Sequence, residues 1–251
     1  KKVQKQRDEL ENELQQVADA QRSLLLKELP QIDGLRLAVI YETSRYAGGD
    51  LFDVLPLGND RWGVLVADVE GHSTQAAVLM AMSCALMRSF SGDGSDPVAV
   101  LQYLNTQLCK VSDSRMVTAL YAVYDAKNQS LKLTRAGHLH PLLYRPSVGV
   151  REILCEGIFP MGMKSYADEV IAIEEVKMQS GDRLLFFTDG IVERLDHEGR
   201  MYGVKRLSEQ LAEAVAESPE MILQQIHADV VTFAAGRPAD DDQTLLLAIV
   251  D

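Results

Sequence analysis

The chain has 251 residues, of which 25 are Lys or Arg and 37 are Asp or Glu, so its formal net charge is −12. This length fits one large domain, or one domain with an appendage. The acidic balance argues against nucleic acid and anionic membranes as partners, because both recruit cationic surfaces. Three scattered cysteines exclude a disulfide or zinc framework. The sequence also has no apolar run long enough to span a bilayer. Together with the few cysteines, this predicts a protein of the reducing cytoplasm.

Residues 1–29 differ in composition from the rest and contain no Gly or Pro. One apolar column repeats every seven residues and a mixed column follows it four residues later: Val3, Leu10, Val17 and Leu24, with Arg7, Leu14 and Gln21. This pattern predicts a helix with a heptad seam, which Pro30 ends. We expect two parallel copies to form a coiled-coil homodimer. The alternative is a single amphipathic helix lying on its own domain. Because the sequence starts with Lys1 rather than Met, we also expect an upstream domain.

Residues 30–251 predict one α+β domain with a mostly antiparallel β core. In chain order the predicted elements are strands at 35–41 and 62–69, helices at 73–90 and 97–110, strands at 118–125, 130–136, 142–145, 150–154, 169–176 and 183–188, helices at 204–217 and 220–235, and a strand at 244–250. This order departs from the strict strand–helix alternation of a doubly wound parallel sheet.

Carboxylates fall at the ends of otherwise apolar segments. Asp50 follows two glycines, Asp68 and Asp189 each end an apolar strand, and the run 240–242 (DDD) precedes the last strand. A single Asp at such a place is usually a turn former or a helix cap. Several that converge at one sheet edge would repel each other unless a cation neutralised them. An all-carboxylate set without a His or Cys cluster favours Mg²⁺ or Mn²⁺ over zinc.

Six motifs occur in order: AGGDLFD (47–53), VADVEGH (66–72), RAGHLHPLL (135–143), GIFPMGM (157–163), GDRLLFFTDGIVE (181–193) and DDQTLLL (241–247). Together they resemble the SpoIIE/RsbU-type branch of the PPM (2C-type) serine/threonine phosphatases. The resemblance implies a PPM-type layered α-β-β-α sandwich over residues 30–251, preceded by the N-terminal coiled-coil helix, with two Mn²⁺ or Mg²⁺ ions at one end. A heptad helix before such a domain resembles the linker of bacterial response regulators with a phosphatase output domain, RssB-like proteins among them.

The resemblance also implies a set of metal ligands in this sequence. Asp68 matches the carboxylate that bridges the two ions, and Asp50 matches the carboxylate of the second ion. Asp189 and Asp241 match two further metal ligands. Val69 would contribute only its backbone carbonyl.

Five neighbouring residues have candidate roles in the predicted site. His72 is a candidate for protonating the leaving oxygen, and the alternative is a structural histidine at a helix start. Arg45 is a candidate for holding phosphate, against a surface salt bridge. Asp53 and Asp242 are candidates for supporting the ligands, and for Asp53 a ligand role stays open. Glu70 stands where the family usually has a small residue, so it could add a ligand, repel the substrate or point to solvent.

The activity that the resemblance implies is hydrolysis of phosphoserine or phosphothreonine in bacterial signalling. Two cations would activate a water for in-line attack, with Asp68 and His72 as the catalytic residues. The implied substrate is a phosphorylated protein such as a small STAS-type anti-sigma antagonist. The alternative is a non-catalytic adaptor or scaffold that keeps the fold and binds a partner in a sigma-factor pathway. Such an adaptor would be expected to lose its metal-binding aspartates, and all four are present.

Overall fold

The computed structural model describes residues 2–44, 46–71, 74–113, 115–215 and 218–251. Within these residues the helices are α1 (Lys2–Arg22), α2 (Thr74–Ser89), α3 (Pro97–Leu108), α4 (Asp189–Val192), α5 (Gly203–Glu213) and α6 (Pro219–Ala234). The strands are β1 (Leu35–Glu42), β2 (Leu51–Gly58), β3 (Arg61–Val69), β4 (Val117–Asp125), β5 (Ser130–Ala136), β6 (Leu142–Arg145), β7 (Gly149–Glu152), β8 (Glu174–Lys177), β9 (Arg183–Phe187) and β10 (Gln243–Val250).

The strands form two five-stranded sheets. The first sheet has the order β1-β10-β9-β6-β7 and the second the order β2-β3-β4-β5-β8. All pairings between these strands are antiparallel. Helices α2 and α3 pack on the second sheet, and α5 and α6 pack on the first. The layers therefore run α-β-β-α, which confirms the α+β class and the layered sandwich predicted from the sequence.

Strand β9 shows how the first sheet is buried on both faces. Leu184 and Phe186 belong to the apolar cluster between the sheets, whereas Leu185 and Phe187 belong to the cluster under α5 and α6. Successive side chains of a strand point to opposite faces, so burial of both faces requires an unbroken apolar run. Every residue of the adjacent strand β10 is buried as well. Because β9 and β10 are paired and buried, they fix the positions of the residues that follow β9 and precede β10.

Strand β2 was not predicted, because its sequence LFDVLPLG contains three residues that strands disfavour, which are Asp53, Pro56 and the terminal Gly58. The charge of Asp53 is compensated by Arg88 of α2, whose Nε donates to the carboxylate at 2.8 Å. Pro56 cannot donate a ladder hydrogen bond, but β2 is an edge strand and tolerates it. Helix α4, a single turn after β9, was also not predicted.

Helix α1 ends at Arg22, so the prediction that it continues to Pro30 was wrong. The amides of Leu24 and Leu25 bond to carbonyls three residues earlier and form a tight turn. The turn carries Leu25 into the main core, where it is 7% exposed. Burial of the Leu25 side chain in the core therefore stabilises the chain more than further helical hydrogen bonds would.

The predicted heptad seam is described only in part, since the side chains of Val3, Leu10 and Leu14 lie outside the described residues. Val17 remains 44% exposed, as a seam residue of a single chain should be. Gln21 does not fit the seam, because it is buried against the domain. Dimerisation through α1 therefore stays a prediction.

The strand predicted over 169–176 is reduced to β8. Strand β5 pairs with β8 only over residues 130–133. At the next position the hydroxyl of Thr134 donates to the Ala172 carbonyl at 2.6 Å. The Thr134 hydroxyl thus occupies a carbonyl that would otherwise accept a backbone amide of the sheet. The chain before β8 therefore does not continue the pairing with β5.

The helix predicted over 204–217 ends at Glu213. Arg183 of β9 donates to the carbonyl of Leu211 at 3.4 Å and to that of Ala214 at 2.7 Å, so its guanidinium caps the helix end.

Among the described residues, no helix has the length and hydropathy needed to cross a membrane.

Candidate metal centre

The predicted carboxylates lie at one end of the sandwich. Asp50 directly precedes β2 and Asp68 is near the end of β3, and the two strands pair through Leu51 and Ala67. Asp189 follows β9 and Asp241 precedes β10, and these strands also pair. Because the partners are antiparallel, the end of one strand lies beside the start of the next. Each sheet therefore contributes two carboxylates.

Electrostatics show that these carboxylates are close to one another. Burial, and then the charges of Asp189 and Asp241, raise the pKa of Asp68 to about 7. Burial and then the charge of Asp241 raise the pKa of Asp189 to about 6. The pKa of Asp50 is also raised, first by its burial and then by Asp68. The cluster therefore combines desolvation with like-charge repulsion, and a cation would relieve both.

Two threonines hold Asp50, which is 1% exposed: Thr188 directly follows β9, and Thr244 belongs to β10. Its Oδ2 accepts hydrogen bonds from the hydroxyls of Thr188 at 2.7 Å and Thr244 at 2.6 Å. The amide of Thr244 in turn donates to Thr188 Oγ1 at 3.0 Å. The sequence interpretation gave these threonines no role, although each is adjacent or close to a predicted ligand in the TDG and DDQT motifs. They fix the carboxylate of one sheet to the strand ends of the other.

The glycine loop before β2 lies against the predicted backbone ligand. A Cβ atom at Gly49 would be 2.6 Å from the Val69 carbonyl oxygen and 3.4 Å from Asp68 Oδ1. No side chain fits at this position. The Val69 carbonyl thus borders the same space as the carboxylates, as the prediction of a backbone ligand requires.

Asp242 points to that loop rather than to solvent. Its carboxylate accepts hydrogen bonds from the amides of Ser44 at 2.8 Å and Gly49 at 2.6 Å. Asp242 therefore holds the backbone of the loop that directly precedes Asp50. Asp53 is directed to α2 through Arg88, as described above, and Val54 also donates its amide to it at 3.0 Å. Both residues have supporting contacts in this structure.

Gln21 of α1 also reaches this loop, and the sequence interpretation missed it. Its Oε1 accepts from the Gly48 amide at 3.0 Å, while its Nε2 donates to the carbonyls of Gly48 and, at 3.3 Å, Ala77 of α2. The only sequence signal was its place as a polar residue in the mixed column of the predicted seam. Helix α1 is thereby hydrogen-bonded to the residue two positions before Asp50.

Glu70 is exposed, and its Oε2 accepts a hydrogen bond from the Met116 amide at 3.2 Å. The carboxylate is thus held by the neighbouring strand end. His72 and Arg45 lie outside the described residues, so their predicted roles stay predictions.

The donor set fits a hard divalent cation, since it consists of carboxylate and carbonyl oxygens. Within the described residues, no three His, Cys, Asp or Glu side chains stand close enough to hold one ion together. The strand pairings place the carboxylates at the same end of the sandwich, where the charges of Asp189 and Asp241 act on Asp68.

The layered fold and its acidic end define a PP2C-type domain. The SiaA-PP2C domain of Pseudomonas aeruginosa aligns with a TM-score of 0.83 and 17% identity, over 98% of both chains. A structure of RsbX in complex with magnesium aligns with a TM-score of 0.66 and 15% identity, over 89% of this chain and 99% of that one. At these identities the likeness shows the fold.

The family described as Stage II sporulation protein E (SpoIIE) matches residues 58–251, and the chain belongs to this family. Protein IcfG of Synechocystis sp. is 25% identical over 93% of the chain, and the phosphoserine phosphatase RsbP of Bacillus subtilis is 25% identical over 77%. The chain spans 41% of IcfG and 48% of RsbP, so it corresponds to part of each relative.

Proposed function

We propose that this chain is a metal-dependent phosphatase that hydrolyses phosphoserine or phosphothreonine on a protein in bacterial cytoplasmic signalling. The observation that carries the proposal is the meeting of Asp50, Asp68, Asp189 and Asp241 at one end of the sandwich, with raised pKa values for the first three. RsbP, a relative over most of the chain, is named a phosphoserine phosphatase.

In this proposal the four carboxylates and the Val69 carbonyl hold two Mn²⁺ or Mg²⁺ ions. The magnesium complex of RsbX, which has the same fold, supports the choice of ion. When bound, such ions activate water for in-line attack and stabilise the phosphoryl oxygens.

Other residues hold the proposed ligands in position. Thr188 and Thr244 fix one oxygen of Asp50, which leaves its other oxygen for the cation. Asp242 fixes the glycine loop. We assign the protonation of the leaving oxygen to His72 and the binding of phosphate to Arg45, on sequence position alone. The substrate class we propose is a phosphorylated STAS-type anti-sigma antagonist, from the relation to RsbP.

The test is hydrolysis of p-nitrophenyl phosphate in Mn²⁺ and in EDTA. We expect turnover in Mn²⁺ only, and we expect Asp189→Ala to reduce it to the level seen in EDTA. Asp33→Ala, at an exposed position away from the site, serves as the matched control and should retain turnover. Circular dichroism melting of both variants establishes that they are folded. Equal rates in Mn²⁺ and in EDTA would refute the metal mechanism.

A further inference from the structure

An apolar groove of about 300 Å³ runs along α2. One wall is formed by Val78, Leu79 and Met82 of α2, and the other by the turn after α3, which contributes Val111. Val78 is 56% exposed and Val111 is 45% exposed. Two half-exposed valines that face one groove leave an apolar strip in contact with water.

The groove begins beside the metal centre. The Glu70 amide donates to the Met116 carbonyl at 2.9 Å, which extends the pairing of β3 and β4 beyond Val69. Glu70 lies two residues after Asp68, and Met116 is followed by β4. The turn that forms the groove wall therefore leads into β4, which pairs with the end of β3 that carries the predicted bridging ligand.

The outer wall of the groove is preorganised. Asn105 of α3 accepts from the Gly162 amide at 2.9 Å, and Ser112 donates to the Gly162 carbonyl at 3.1 Å. A Cβ atom at Gly162 would be 2.5 Å from the Arg115 carbonyl oxygen, so the turn lies directly on this glycine. A wall fixed in this way needs little ordering when a ligand binds.

A cation stands at the end of the groove nearest the metal centre. Arg115 precedes Met116, and its guanidinium donates to Gln75 in the first turn of α2. Among the described residues Arg115 forms no ion pair, although Asp113 also lines the groove. The planar set of donors of the Arg115 guanidinium suits phosphate oxygens.

We infer that this groove binds the polypeptide segment next to the phosphorylated residue of the substrate, with apolar side chains on Val78 and Val111 and with Arg115 near the phosphate. From Thr74 to Met82 the helix rises about 12 Å. That length takes about four residues of an extended chain. The inference rests on the proposed function, and it adds a preference for apolar residues beside the phosphorylated one.

Binding and turnover are tested separately with two fluorescent phosphoserine peptides, one with Leu and Val on both sides of phosphoserine and one with Gly and Ser. Fluorescence anisotropy in EDTA measures affinity without hydrolysis. We expect the apolar peptide to bind about tenfold more tightly, since burial of one aliphatic side chain supplies a difference of that size. Release of phosphate in Mn²⁺ then measures turnover.

The variant Val78→Glu should abolish the difference between the two peptides. Val231→Glu is the matched control, because Val231 is 54% exposed on α6 in the opposite layer, and it should retain the difference. Arg115→Gln should reduce the preference for the phosphorylated over the unphosphorylated apolar peptide. Thermal melting shows whether each variant is folded.

Equal affinity for both peptides, binding of neither, or the same loss in Val78→Glu and Val231→Glu would overturn the inference. Selective binding without phosphate release in Mn²⁺ would refute the proposed phosphatase activity and leave the groove as a peptide site. The two failures are thus distinguishable.

Discussion

At the scale of single residues, Asp68 couples protonation to stability. Its pKa is raised from 3.8 to about 7 in the folded chain, and that of Asp189 is raised to about 6, both chiefly by burial. A carboxyl whose pKa is higher in the folded than in the unfolded state binds more protons when folded. It therefore stabilises the fold at low pH, and this contribution is lost as the pH rises through the folded pKa.

We predict that, in EDTA, the free energy of unfolding falls by about 2 kcal/mol between pH 5.5 and pH 8. Urea denaturation at a series of pH values measures it. Asp68→Asn should remove most of this slope, whereas Asp33→Asn should retain it. Carboxyls with lowered pKa values, such as Asp196 with a pKa of about 2, act below this window. An unchanged slope in Asp68→Asn would contradict the coupling.

The hydroxyl of Thr188 supports a second prediction. Thr188→Val keeps the shape of the side chain but removes the donor to Asp50 and the acceptor for the Thr244 amide. We expect a loss of about 1–3 kcal/mol in the free energy of unfolding, because buried polar groups lose their partners. We also expect the Mn²⁺ concentration for half-maximal turnover to rise. Thr188→Ser retains the hydroxyl and should behave like the original chain in turnover. Similar losses in both variants would show that the methyl group, not the hydroxyl, matters.

Glu70 supports a third prediction. Its exposed carboxylate is held at the strand end by Met116, and it adds negative charge two residues from Asp68. We expect Glu70→Ser to keep or raise turnover of p-nitrophenyl phosphate in Mn²⁺, because repulsion of the phosphate decreases. A decrease of tenfold or more, about 1.4 kcal/mol in barrier height, would show that Glu70 is a required ligand or base.

At the scale of elements, α1 and the glycine loop act as one unit through Gln21. Gln21→Ala removes hydrogen bonds to both backbone groups of Gly48, next to the loop that carries Asp50. We predict a higher Mn²⁺ requirement and a lower melting temperature. Gln16→Ala, at an exposed position on the same helix, is the matched control and should change neither. Activity assays across a Mn²⁺ titration make the comparison, and equal curves for both variants would refute the coupling.

The elements also show what sequence patterns can and cannot predict. Unbroken apolar runs predicted β9 and β10, because burial of both faces leaves a local signature. Strand β2 could not be predicted, since its Asp53 becomes acceptable only beside Arg88 of α2. The same holds for Gln21, whose partners Gly48 and Ala77 are far along the chain. Carboxylates at strand ends were recognisable by position, whereas the side chains that hold them depend on contacts between the two sheets.

At the scale of the whole molecule, Val17 supports a prediction about oligomeric state. It is 44% exposed on α1, while Ala18 and Gln21 face the domain. A helix can therefore bind its own domain on one face and a second copy on the other. Removal of residues 1–30 is an unsuitable test, because Leu25 is part of the core.

We predict that the full chain forms a dimer of modest affinity, and that Val17→Glu makes it a monomer without lowering the melting temperature. Light scattering over a range of concentrations measures the mass. Val231→Glu, with similar exposure on α6, should leave the dimer intact. A monomer at high concentration for the unaltered chain would exclude the coiled coil. A dimer that persists in Val17→Glu would place the interface elsewhere.

The position of β10 has a consequence for how the protein is made. The strand is formed by residues 243–250, yet it lies between β1 and β9, and Leu35 pairs with Val250. During synthesis on the ribosome, β1 therefore cannot pair with β10 until residues 243–250 have been made. The hydrogen bond from Thr244 to Asp50 likewise cannot form before then. Pairing over such a separation in sequence is slow. A nascent chain that stalls before this strand has emerged lacks the hydrogen bond from Thr244 to Asp50, so the acidic end of the sandwich cannot be completed.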